Sequence, residues 1–172
     1  HIVLMKGWKI MLRDPLYRAI EEGLNTRLDP ELFERCAADL LQSAYPGLTP
    51  IRGGGDAGMD GAIPAEDAPP TPLVCTTAAD VIGNLTRSLK SYISEGGKSR
   101  SVVLATSQAL TPRRRRNLEN RARELGFTLL NIHAQDDFVG RLYRAPQWRK
   151  ELLGLTGEPP ALSTFPRSRR PL

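Results

Sequence analysis

The stretch LVCTTAADVIGNLTRSLKSYISEGGKSRSVVLA spans residues 73–105. Its two ends and its middle follow different periods. Leu73–Thr76 is a short apolar run of strand type. Between them, Val81, Ile82, Leu85, Leu89 and Ile93 recur at helical spacing, which predicts a helix over 78–94 with those five residues on its buried side. Gly96-Gly97 ends that helix. Ser101–Ala105 is apolar and β-branched, the composition of a strand at the centre of a sheet. Strand, helix and strand in this order predict two parallel neighbours joined by a crossover helix.

The same alternation continues downstream. Thr111 and Pro112 open a helix that closes at Gly126, Phe127–Ile132 reads as a strand, and 136–155 holds a helix or a pair of helices interrupted around Pro146. Upstream, Asp29 is a good N-cap and Pro30 suits the first helical position. Phe33, Cys36, Ala37, Leu40 and Leu41 then mark a helix that ends near Ala44. Leu48–Arg52 and Met59–Ile63 read as a hairpin around Gly53-Gly54-Gly55-Asp56, and 64–72 as an exposed connection. The expected class is therefore α/β, with a mixed central sheet (a hairpin plus partly parallel strands) flanked by helices. Residues 1–28 read as a partly helical N-terminal extension, 29–155 as the domain, and the Pro/Arg-rich 156–172 as a linker to a further domain.

Composition narrows the functional classes. Forty per cent hydrophobic residues in 172 suffice for a core, and no apolar run approaches the ~20 residues of a membrane helix. The expectation is a soluble, cytoplasmic protein with no membrane partner. Two cysteines, Cys36 and Cys75, form no CxxC pair, and two histidines, His1 and His133, make no histidine-rich centre, so zinc is not expected. A net charge of +5 suits a polyanionic partner.

Three features converge on one chemistry: Glu34 on its helix, the turn Gly53-Gly54-Gly55-Asp56-Ala57-Gly58-Met59-Asp60-Gly61, and the strand Leu73-Val74-Cys75-Thr76-Thr77. Two or three carboxylates hold Mg²⁺ through oxygen ligands, and the metal lowers the pKa of a bound water and stabilises charge on a phosphate. Glycines beside the aspartates let the backbone turn tightly.

On these residues the chain resembles the Mrr-like branch of the PD-(D/E)xK, restriction-endonuclease-like superfamily. In that branch a helix carrying Phe-Glu (here Phe33-Glu34) precedes a turn such as Gly53–Gly61, and a later strand ends in Thr-Ser, here Thr106-Ser107. The resemblance covers about residues 29–140. It implies a metal-dependent DNA endonuclease, with Glu34 and Asp60 as catalytic Mg²⁺ (or Mn²⁺) ligands and Asp56 assisting. The family's next strand carries an acid, one residue and a lysine, where this chain has Cys75-Thr76-Thr77. Those three residues would line the site, and Lys90 on the following helix, with Arg87 beside it, would replace the lysine. The alternative is a degenerate nuclease fold that binds nucleic acid or mediates assembly. The tail loosely resembles connectors of bacterial antiphage STAND proteins, implying an effector domain that oligomerises through other parts.

Arg113, Arg114, Arg115 and Arg116 stand in the first turn of a predicted helix, where the dipole disfavours cations. Phosphate binding accounts for them, with Arg52 as a further contact; a solvated face partnered by Glu119 and Glu124 is the bland reading. Asp56 and Asp60 could equally cap their turn, Glu34 could be a solvated charge, and His133 at a strand end could be an acid–base group or a structural residue. No base-reading motif stands in the chain.

Overall fold

The computed structural model describes residues 14–51 and 59–157. Asp56 and Arg52 lie outside them, as does the Pro/Arg-rich tail beyond 157. Helix α1 is Pro15–Leu24 and α2 is Pro30–Leu40, the latter followed by a 3₁₀ turn, Leu41–Ser43. Strands β1 (Thr49–Pro50), β2 (Gly61–Ile63) and β3 (Thr71–Thr76) come next. Then α3 (Val81–Ser94), β4 (Ser101–Thr106), α4 (Pro112–Glu124), β5 (Thr128–His133), α5 (Gln135–Tyr143) and α6 (Pro146–Leu153) complete the order.

The five strands lie in the order β1-β2-β3-β4-β5. The β1–β2 and β2–β3 pairs are antiparallel, and β3–β4 and β4–β5 are parallel. This is the mixed α/β sheet expected from the hydrophobic periods. Asp29 caps α2 by accepting the Glu31 N–H at 3.1 Å, and Thr111 caps α4 by accepting that of Arg114 at 3.2 Å.

Successive strand residues face opposite sides of the sheet, and two cores follow from that. Leu73, Cys75, Val103 and Ala105 pack on one side against α1, α2, α5 and α6. Val74, Val102 and Leu104 pack on the other side against α3 and α4. The boundary expected at residue 29 does not separate a body from an extension: Leu16, Ile20 and Leu24 of α1 share the first core with Phe33 and Phe138. Ile82 and Ile93, expected to be buried, are each 39% exposed. They flank the stripe Val81–Leu85–Leu89, which alone is buried on this helix.

Strand β5 is an edge strand. Val102 pairs with Leu129 and Val103 with Asn131, so Leu130 is an extra, bulged residue, 56% exposed. The Asn131 side chain accepts the Ile132 N–H at 3.0 Å.

Candidate functional site

The parallel strands β3, β4 and β5 end at one edge of the sheet, where open α/β sheets place their ligands. Asp60 reaches that edge from the strand before it. Its backbone N–H donates to the Leu73 carbonyl, which holds it beside β3, and its Oδ2 accepts the Cys75 N–H at 2.6 Å. Cys75 is the penultimate residue of β3 and faces the α2 side. Glu34 comes down onto the same spot from the second turn of α2, because Phe33 beside it is fully buried and fixes the rotation of the helix.

The Glu34 and Asp60 carboxyls lie within hydrogen-bonding reach of each other. Burial, then the Asp60 charge and hydrogen bond, push Glu34 from the ordinary 4.5 to about 7. Asp60 is also raised by burial, against the opposing pull of the Cys75 N–H. Two desolvated carboxylates cannot both ionise cheaply at this separation, so near neutrality the pair retains a proton. Burial and these two acids push the Cys75 thiol well above its ordinary value as well, so it stays neutral and lines the site without acting as a nucleophile.

Two such carboxyls are oxygen ligands of the kind a divalent cation takes. Among the described residues no group of three or more acidic, histidine or cysteine side chains is arranged around a common metal position.

The other expected residues separate. Thr76 is buried, and its Oγ1 accepts the Ala78 N–H at 3.0 Å. Thr77 offers its carbonyl to the Gln108 side chain at 2.9 Å. Lys90 is exposed on α3, whose buried residues all belong to the core on the opposite side of the sheet from Glu34. The structure therefore does not bring Lys90 to the two carboxyls; Arg87 shares its helix and is also exposed.

The arginine cluster opens α4 just beyond the end of β4, at the same edge of the sheet as Asp60. Arg113, Arg114 and Arg116 are exposed and make no ion pair among the described residues. Arg115 is half-buried and bridges to Asp136 at 3.2 Å. Glu124 pairs with Arg121 instead of the cluster. Arg114 lines an open cleft of about 400 Å³ with Asp80, Val81 and Ile82 at the start of α3.

One constellation was only partly legible in the sequence. His133, at the end of β5, is buried between Tyr45 (hydroxyl to Nε2, 2.8 Å) and Asp137 (Oδ2 to Nδ1, 2.7 Å). Arg141 donates to the same Asp137 oxygen at 3.0 Å and to the Leu40 carbonyl at 2.8 Å. Its hydrogen bonds from His133 and Arg141 hold Asp137 below its ordinary range. The fourfold spacing of His133, Asp137 and Arg141 was the available signal; Tyr45, 88 positions from His133, gave none. Both His133 ring nitrogens are bonded within the protein, and Arg141 ties α5 to the Leu40 carbonyl at the end of α2, which makes this a structural tie.

The pH dependence of the acid pair follows from its sign. Glu34 binds its proton more tightly folded than unfolded, so its contribution to stability is present at low pH and lost as pH rises from about 4.5 to about 7. Glu34→Gln is expected to unfold a few degrees above the parent at pH 8 and alongside it at pH 4, read by thermal denaturation. Equal shifts at both pH values would show that Glu34 is not raised by its buried position beside Asp60.

No protein-family model matches the chain, and no curated protein or solved structure matches it either. Among the described residues no helix is long and apolar enough to cross a membrane.

Proposed function

We propose that the chain is a restriction-endonuclease-like domain that hydrolyses the phosphodiester backbone of DNA with a divalent cation. The observation that supports this reading best is the Glu34–Asp60 carboxyl pair at the end of β3, desolvated enough to carry Glu34 to about 7. In this reading Glu34 and the free oxygen of Asp60 hold Mg²⁺ or Mn²⁺, which supplies an activated water and neutralises charge on the phosphate. Asp60 stays oriented through the Cys75 N–H. Arg113, Arg114 and Arg116 meet the DNA backbone at the same sheet edge. The small side chains of Cys75 and Thr77 leave the strand end open to it.

A second reading, a module on the same fold that binds nucleic acid without cutting it, is favoured by the position of Lys90 on the far side of the sheet. Supercoiled-plasmid cleavage at high protein concentration separates the two. A nuclease nicks or linearises the plasmid with Mg²⁺ or Mn²⁺ and stops when a chelator is added. A binding module shifts the plasmid on a gel with or without metal and leaves it intact. In the effector reading, a fused dimerisation tag raises cleavage.

A further inference from the structure

A second cleft, of about 230 Å³, adjoins the one that Arg114 lines; Leu110 forms a wall of both. Tyr17 and Glu21 of α1 close one side, and Gln135, Asp136 and Val139 of α5 close the other. Gln135 is only 6% exposed. Its amide nitrogen donates to the Ser107 carbonyl at 3.1 Å and to the Asn25 side-chain oxygen at 2.8 Å. A backbone carbonyl only accepts, so the nitrogen end must face it. Gln135 lines the cleft, and its Oε1 accepts no hydrogen bond among the described residues. Its backbone N–H meanwhile bonds the Gln108 carbonyl at 3.1 Å, so the loop carrying Leu110 is tied to α5.

The residues lining the cleft carry acceptors without a partner among the described residues: the Gln135 Oε1, the Glu21 carboxylate, and the Asp136 oxygen that Arg115 does not take. Tyr17, Leu110 and Val139 supply flat or apolar walls. The Tyr17 hydroxyl is raised by burial and by Glu21 and Asp136, and so keeps its proton. The occupant must be small, planar and rich in N–H donors. The volume lies below the ~300–1,000 Å³ of drug-sized ligand sites, which suits one nucleobase and excludes a base pair. Among the bases, guanine carries adjacent N–H donors on its pairing edge, the groups that a carboxylate and an amide oxygen accept together.

We infer that this cleft receives one unpaired guanine of a strand whose phosphates lie on Arg113 and Arg114. The inference rests on the nucleic-acid reading above. Bases outside a duplex are held in this manner, read by hydrogen bonds at the pairing edge and stacked on aromatic or apolar side chains.

The test is fluorescence anisotropy at low salt with the 172-residue chain and three labelled single strands: all thymine, the same strand with one central guanine, and the same with inosine, which lacks the exocyclic amino group. The guanine strand is expected to bind about 10-fold tighter than all thymine, with inosine between them. Glu21→Gln is expected to remove most of that preference while leaving thymine binding equal or tighter, and Tyr17→Ala, which removes an aromatic wall, is expected to reduce the preference as well. Arg114→Ala is expected to weaken all three strands equally. Equal binding of all three by the parent protein overturns the base pocket and leaves the nucleic-acid reading standing. Binding of none of them overturns the base pocket, and absence of any plasmid shift as well overturns the nucleic-acid reading; capture of an arginine-rich peptide in their place would assign the cleft to the cation of a protein partner.

Discussion

If the chain is the nuclease proposed, plasmid cleavage is expected to fall about 100-fold or more on Asp60→Asn, with the fold intact. The two halves of that result have separate causes. Asn retains an oxygen that can accept the Cys75 N–H now held at 2.6 Å, so the backbone contact that positions β2 against β3 survives. Its amide then donates to Glu34, which no longer needs to keep a proton to coexist with its neighbour. Stability at pH 8 should therefore be equal to the parent or higher, by urea denaturation. Activity is different, because the amide end of Asn does not replace a carboxylate toward Mg²⁺. Loss of an outer partner of a metal ligand costs ~10–100-fold, and loss of a ligand costs no less. Gel-shift binding of the plasmid should persist or tighten, since a negative charge near the phosphates is gone. Unchanged cleavage would remove Asp60 from the chemistry.

Phe33→Ala is expected to lower the unfolding free energy by about 3–5 kcal/mol. Phe33 is 0% exposed, and its ring meets that of Phe138 edge-on at 5.2 Å between centroids. Its removal empties the contact between α2 and α5, and aromatic pairs of this geometry add ~0.5–1.5 kcal/mol beyond the area they bury. The effect should appear as a lower urea midpoint at unchanged slope. Phe33→Leu, which refills most of the space, should lose much less. A loss below about 1 kcal/mol for the alanine variant would show that α2 is not held by this core. The prediction bears on the site because Glu34 follows Phe33 directly and takes its direction from it.

These two residues show what the sequence made legible. The strand–helix alternation over 73–133 and the turn around Pro146 were readable because hydrophobic period and Gly/Pro punctuation are local properties, and the observed elements follow them. Glu34 and Asp60, paired by the motifs that carry them, are neighbours in the structure. The resemblance points to Lys90 because it stands on the helix that follows the strand, yet a helix that crosses back covers one side of the sheet only, and α3 lies on the side away from α2. The helical spacing of Ile82 and Ile93 recorded that they are apolar, not how far the neighbouring helix extends over them. The union of α1 with the core could not be read at all, because residues 15–24 contact α5, more than 100 positions later. Gln135 was invisible for the same reason: a glutamine between a histidine and two aspartates has no distinguishing pattern until its amide is seen tied to Ser107 and Asn25.

The kink at Leu130 governs how the molecule behaves toward copies of itself. An exposed terminal strand invites a neighbour to extend the sheet, a route to fibrils in concentrated solution. Here an incoming chain would have to flatten the bulge and evict the Asn131 side chain from the Ile132 N–H before it could bond there. At β5 the sheet therefore presents a broken bonding edge, which disfavours strand addition on that side while leaving Leu130 uncovered.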